Sequence, residues 1–216
     1  MNNDLKRRII DISYKHKLSH IGSCLSAVDI IDEIYAKKKK GDKFVLSAGH
    51  AGLALYVVLE RYLGLNAEEL LKRCGIHPDR VLAGTLDDEG NFTSPIDCST
   101  GSLGHGVGIA VGMALGNPQN QVYVVTSDGE CAEGSVWEAL RIAINECVQN
   151  IHITVNHNGY TAYDKTDTRT QDLLKYVGNR IDLKVRYTTN GLDILDGLDG
   201  HYHVLMEEEY SKIINL

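Results

Sequence analysis

Apolar residues along the chain change their period repeatedly, from the 3.6 of a helix to the continuous runs of a buried strand and back. Leu5, Ile9, Ile10 and Ile12 recur at near-helical spacing, and Ser26 followed by Asp29 has the spacing of a capping box that opens a second helix. The loop Ser19-His20-Ile21-Gly22-Ser23 lies between them. Residues 43–47 read as a short apolar strand, ending at Ala48-Gly49-His50, and Leu53 to Leu63 as a long helix. Asn66 with Glu69 caps a further helix over 67–74, after which 76–100 shows no period. A stretch of that length without a period is uncommon in a compact domain and is more often functional than idle.

From Ser99 to Gly108 the chain is rich in glycine and opens an Ala- and Gly-rich helix that runs to about Leu115. Residues 121–126 then read as a buried strand, 134–148 as a helix and 151–155 as another strand. Alternating strands and helices predict an α/β fold, a mainly parallel sheet with helices on both faces, whose ligands bind beyond the carboxyl ends of the strands. Gly49-His50, Asp128-Gly129 and Asn156-His157-Asn158 all fall there.

Composition narrows this picture. The 216 residues suit a single domain over 1–216, and 43% hydrophobic with 24% charged residues is ordinary for a soluble globular chain. A net charge of −7 gives no reason to expect nucleic acid, and the basic run Lys37 to Lys40 falls at a helix end, where cations face the dipole. Cys24, Cys74, Cys98, Cys131 and Cys147 contain no CxxC pair, which fits reduced thiols in a cytoplasm. The N-terminus lacks the apolar stretch of a signal peptide, and no segment approaches a membrane span.

Asp128 leaves a strand directly, and Gly129 lets the backbone turn sharply beside a ligand. Asn158 is delivered by the next strand, so neighbouring strands would set the two side chains together. A carboxylate and an amide carbonyl are hard oxygen donors suited to magnesium or calcium, and magnesium completes its shell with phosphates and water. Asp-Gly and Asn-Gly are also common turn formers, so spacing alone leaves a plain surface turn equally open.

Further motifs bear on that choice. Asp128-Gly129-Glu130, Glu133-Gly134, Trp137-Glu138-Ala139 and Asn158 resemble, in order and spacing, the thiamine diphosphate signature of transketolases. The likeness continues through Ser19-His20-Ile21-Gly22, Asp42 to Ala51 and Ser99 to Gly106. Ser127 stands where the family has a leading glycine, and His105 where it usually has glutamine.

The resemblance implies that thiamine diphosphate is bound through a Mg2+ or Ca2+ ion held by Asp128, Asn158 and the carbonyl of Tyr160. His50, Gly101, Leu103, Gly129 and Glu130, with Asn158, are then expected beside the cofactor. His20 resembles the histidine that faces substrate hydroxyls, a task suited to an imidazole, whose ordinary pKa is about 6.5. His77 matches a loop histidine of the family, although Ile76 separates it from the glycine that normally precedes it. Glu133 and Glu138 correspond to acids at the family's subunit contact, near its proton path, and equally suit a solvated helix face. Near the C-terminus both His201 and His203 are candidates, with His203 the better match if Tyr202 stands for the family's tryptophan.

What the family places on further domains is not expected here. A glutamate that activates the aminopyrimidine belongs to a pyrimidine-binding domain, which, with the C-terminal domain, has no counterpart in 1–216. The implied activity is transfer of a two-carbon ketol unit from a ketose to an aldose, by a hetero-oligomer in which a partner subunit joins this chain on a dimeric base. Three readings compete with it: a shortened piece of a longer chain, part of a 2-oxo acid decarboxylase, and a non-catalytic cofactor-binding module.

Overall fold

The computed structural model describes residues 3–73, 80–83, 85–86, 92–161 and 163–214. Helices α1 (Asn3–His16) and α2 (Ile21–Lys37) precede strand β1 (Lys43–Leu46), and α3 (Gly52–Leu63) and α4 (Ala67–Arg73) follow it. The two-residue strands β2 (Thr85–Leu86) and β3 (Phe92–Thr93) pair antiparallel within the stretch that has no sequence period. Helix α5 (His105–Gly116), β4 (Val122–Ser127), α6 (Gly134–Asn145), β5 (Ile151–His157), α7 (Thr168–Gly178) and β6 (Leu183–Tyr187) then alternate. The chain continues through α8 (Asp199–Tyr202) and α9 (Glu207–Ile213).

The main sheet has the order β1-β4-β5-β6, and every neighbouring pair in it is parallel. Strand side chains alternate between two cores, as the pleat requires. Phe44, Leu46, Tyr123 and Val125 pack on one face with α1 to α4, whereas Val45, Val122, Val124, Ile151, Ile153 and Val155 pack on the other with α5, α6 and α7. Fully buried side chains such as Ile9, Ile31, Leu55 and Leu140 contribute roughly 1.5–3 kcal/mol each to this arrangement. Among the described residues no helix is long and apolar enough to cross a membrane.

Two helix starts differ in how the sequence encodes them. Asn66 caps α4 as expected, its Oδ1 accepting from the Glu69 N–H at 3.0 Å. Ser26 is no cap: α2 begins at Ile21, and the buried Ser26 hydroxyl donates back to the Ser23 carbonyl at 3.0 Å. Helix α6 also ends at Asn145, short of residue 148. The strands expected over 43–47, 121–126 and 151–155 and the helices over 53–63 and 67–74 lie within two residues of those limits, whereas β2, β3, α7, β6, α8 and α9 have no sequence-based limits.

Candidate functional site

Parallel pairing brings the carboxyl ends of four strands to one edge, where the site is built. Ser127 is in register with Asn156, and the Asp128 N–H donates to the Asn156 carbonyl at 3.1 Å. Asp128 and Asn158 therefore leave adjacent strand ends, as the metal reading requires. A cleft of about 310 Å3 opens there, lined among others by His20, His50, Gly101, Leu103, Gly129 and Asn158. Tyr160, Ser127 and His201 also face it.

Asp128 is 2% exposed, and its two oxygens differ completely. Oδ2 accepts from the Gly159 N–H at 2.9 Å and the Thr166 hydroxyl at 2.7 Å. Oδ1 is buried with no hydrogen-bond partner among the described residues. An orphaned carboxylate oxygen is costly unless something positive meets it. The donors nearby are oxygens: the Asn158 Oδ1, which accepts from the Tyr160 N–H at 3.0 Å, and the Tyr160 carbonyl, which lies 3.4 Å from where a β-carbon on Gly129 would be. Among the described residues no group of three or more His, Cys, Asp or Glu side chains is placed to hold a metal ion. One carboxylate with neutral oxygen donors fits a hard cation that takes the rest of its shell from phosphate and water.

Close backbone approach shapes the rest of the cleft. A β-carbon on Gly49 would lie 2.8 Å from the backbone of Thr100 and Gly101, so only glycine admits that contact. Gly104, at φ 79°, opens α5, and its N–H donates to Glu130 Oε1 at 2.9 Å. Glu130 is 0% exposed and does not line the cleft. Its carboxylate also accepts from the Ser47 hydroxyl at 2.6 Å, the Thr126 hydroxyl at 2.9 Å and the Ser127 N–H at 2.9 Å. It thus ties together the ends of β1 and β4 and the start of α5.

Three histidines form the opposite wall. His20, in the left-handed region at φ 60°, lies with its ring centroid 5.7 Å from that of His50 and 4.8 Å from that of His201. Its backbone N–H and its ring Nδ1 both reach the His201 carbonyl at 3.0 Å, which places the ring proton on Nδ1 and leaves Nε2 as an acceptor. Burial, reinforced by the charge on neighbouring His20, pushes His201 down to about 4. Burial, then His20 and His201, push His50 down to about 3. Held that low, each ring is neutral at ordinary pH and offers one N–H hydrogen-bond donor and one acceptor nitrogen.

The other sequence candidates lie elsewhere. His203 turns to Glu209, 2.9 Å away, so the structure brings His201 and not His203 into the cleft. Glu133 and Glu138 are exposed at the start of α6 and on its outer face, and neither lines the cleft. His77 lies outside the described residues. Sequence reasoning missed Ser23, whose buried hydroxyl has no hydrogen-bond partner among the described residues and which lines a neighbouring cleft shared with Asn158, Tyr160 and His201. It also missed Thr166, which reaches Asp128 through folding of the loop after β5, and the contact that His157 makes with Asp128 from the end of that strand.

Comparison with known proteins identifies the family. Residues 3–207 match the family described as transketolase, thiamine diphosphate binding domain. The chain is 30% identical over 207 residues to one of the subunits of the apulose-4-phosphate transketolase of Phocaeicola vulgatus, covering 88% of this chain and 68% of that protein. It is 31% identical over 180 residues to the 6-deoxy-6-sulfo-D-fructose transketolase subunit SqwG of a Clostridium species, covering 74% of this chain and 63% of that one. The solved transketolase from Leishmania mexicana superposes with a TM-score of 0.74 at 19% identity, over 98% of this chain and 40% of that chain. The chain thus spans about two thirds of these subunit relatives and two fifths of the solved enzyme.

Proposed function

The chain belongs to the transketolase thiamine diphosphate-binding family, and from that premise we propose that it is the diphosphate-binding subunit of a split transketolase. It transfers a two-carbon ketol unit from a ketose to an aldose, in the cytoplasm, together with a separate subunit that carries the pyrimidine-binding domain. The observation that carries this reading is the buried Oδ1 of Asp128, without a hydrogen-bond partner among the described residues, beside Asn158, in a cleft also lined by His20, His50 and His201. Two relatives named as transketolase subunits support a divided enzyme.

Asp128, Asn158 and the Tyr160 carbonyl would hold Mg2+ or Ca2+, and His50, Gly101, Leu103 and Gly129 would line the cofactor. When bound, thiamine diphosphate supplies a carbon nucleophile that can accept and release a ketol unit. His20 offers Nε2 as a base to a substrate hydroxyl while His201 holds its Nδ1 side. Neutral His50 and His201 complete a wall of donors and acceptors suited to a polyhydroxylated substrate, which favours a sugar over a 2-oxo acid. Glu130 fixes the three segments around the cleft without touching substrate.

Calorimetry of the full chain with thiamine diphosphate and Mg2+, with and without the partner, tests the cofactor. Binding that Asp128→Asn abolishes is the expected result. Ketol transfer should require the partner; full transfer by this chain alone, or no cofactor binding even with the partner, would sink the proposal.

A further inference from the structure

The loop after β5 folds back on itself as a small hairpin. Tyr160 and Lys165 form an antiparallel bridge, the Thr161 N–H donates to the Asp164 carbonyl at 2.7 Å, and the Thr166 N–H donates to the Gly159 carbonyl at 3.0 Å. Its two ends converge on a single atom. The Gly159 N–H at 2.9 Å and the Thr166 hydroxyl at 2.7 Å both donate to Asp128 Oδ2.

A third group backs the same oxygen. His157 Nδ1 lies 3.6 Å from Asp128 Oδ2, while its Nε2 meets the Gln171 amide nitrogen at 2.5 Å. The Tyr187 hydroxyl donates to Gln171 Oε1 at 3.1 Å, which fixes the amide with its nitrogen toward the imidazole. A neutral His157 accepting at Nε2 carries its proton on Nδ1, facing the carboxylate. Oδ2 is therefore saturated by protein, and Oδ1 is left without a partner among the described residues.

We propose that Thr166 is a positioning residue for the metal: its hydroxyl, with Gly159 and His157 beside it, holds Asp128 Oδ2 so that Oδ1 alone faces the ion. Asp128 is then a one-oxygen ligand whose orientation is set before the ion arrives. The backbone bond from Thr166 to Gly159 closes the hairpin by itself, so the shape of the loop does not need the hydroxyl. Groups that orient a metal ligand in this way are typically worth about 10–100-fold in metal affinity. The inference rests on the cofactor reading above and adds residues to it.

The test uses Mn2+ as the probe, with the full chain and its partner subunit at saturating thiamine diphosphate, and follows free Mn2+ by electron paramagnetic resonance. Thr166→Val and Thr166→Ala should weaken Mn2+ binding by about 10–100-fold, whereas Thr166→Ser, which keeps the hydroxyl, should stay close to wild type. Circular-dichroism melting without metal should be alike for all four proteins. Unchanged Mn2+ affinity in the Val and Ala variants, a loss in Ser equal to that in Val, or unfolding of both non-hydroxyl variants without metal would each overturn the positioning role. In the first of those outcomes the cofactor reading survives; wild-type protein that fails to bind Mn2+ overturns both.

Discussion

Gly106 and Ser47 are in direct contact: a β-carbon on Gly106 would lie 2.5 Å from the Ser47 Cα, pressing the first turn of α5 onto the end of β1. Alanine normally gains about 0.5–1 kcal/mol over glycine inside a helix, but a clash with backbone costs about 1–3 kcal/mol and wins here. Gly106→Ala should therefore lower the urea midpoint and weaken cofactor binding. On the same helix nothing among the described residues lies within 4 Å of a β-carbon added at Gly112. There Gly112→Ala should stabilise the isolated chain by about 0.5–1 kcal/mol, and the opposite order of the two variants would refute the packing described.

Glu130→Gln tests the buried carboxylate. Its oxygens accept from Ser47, Gly104, Thr126 and Ser127, and a glutamine presents an amide nitrogen to at least one of those donors. A loss of about 2–3 kcal/mol in chemical denaturation is expected, because a buried donor loses a charged acceptor. Equal stability of the variant would show that the donors re-pair.

Acid should destabilise the folded chain through its histidines. His50 is held at about 3 and His201 at about 4, against about 6.5 when unfolded. Below pH 6.5 the unfolded chain thus takes up protons that the folded chain refuses, so stability falls as pH drops from about 6.5 toward 4 and is flat above that window. Each histidine contributes a slope of up to about 1.4 kcal/mol per pH unit there. Replacing both with glutamine should flatten the profile in that range, as read from urea melts at several pH values.

His201 and His203 separate by role. With the partner present, His201→Ala should lower kcat/KM by about tenfold, the loss expected when a ring that hydrogen-bonds substrate is removed from the cleft. His203→Ala, which removes only a pair with Glu209, should leave kcat/KM near wild type. The reverse result would move the functional histidine.

Much of this arrangement is legible in the sequence because it follows from period and from glycine. The short apolar runs at 43–47, 121–126 and 151–155 have the length and alternation with helices that parallel strands require, and Asp128 and Asn158 follow from where two of them end. Ser26 misleads because its capping-box spacing sits inside a helix whose start is marked instead by His20 in a left-handed conformation, for which the residue type gives no sign. His201 and His203 flank one tyrosine, and only the docking of α8 against α2 decides which ring meets His20. Thr166 lies 38 residues from Asp128, a contact made by a hairpin that no hydrophobic period announces.

Glu130 has a kinetic consequence. Its partners Ser47 and Gly104 lie 83 and 26 residues away, so its shell closes only after the sheet has joined β1 to β4 and α5 has docked. Until then the carboxylate is hydrated and the cleft has no fixed wall. The amide protons of Gly104 and Ser127 should consequently exchange with solvent only on global unfolding, alongside the central strands, making binding competence an all-or-none property of the folded chain.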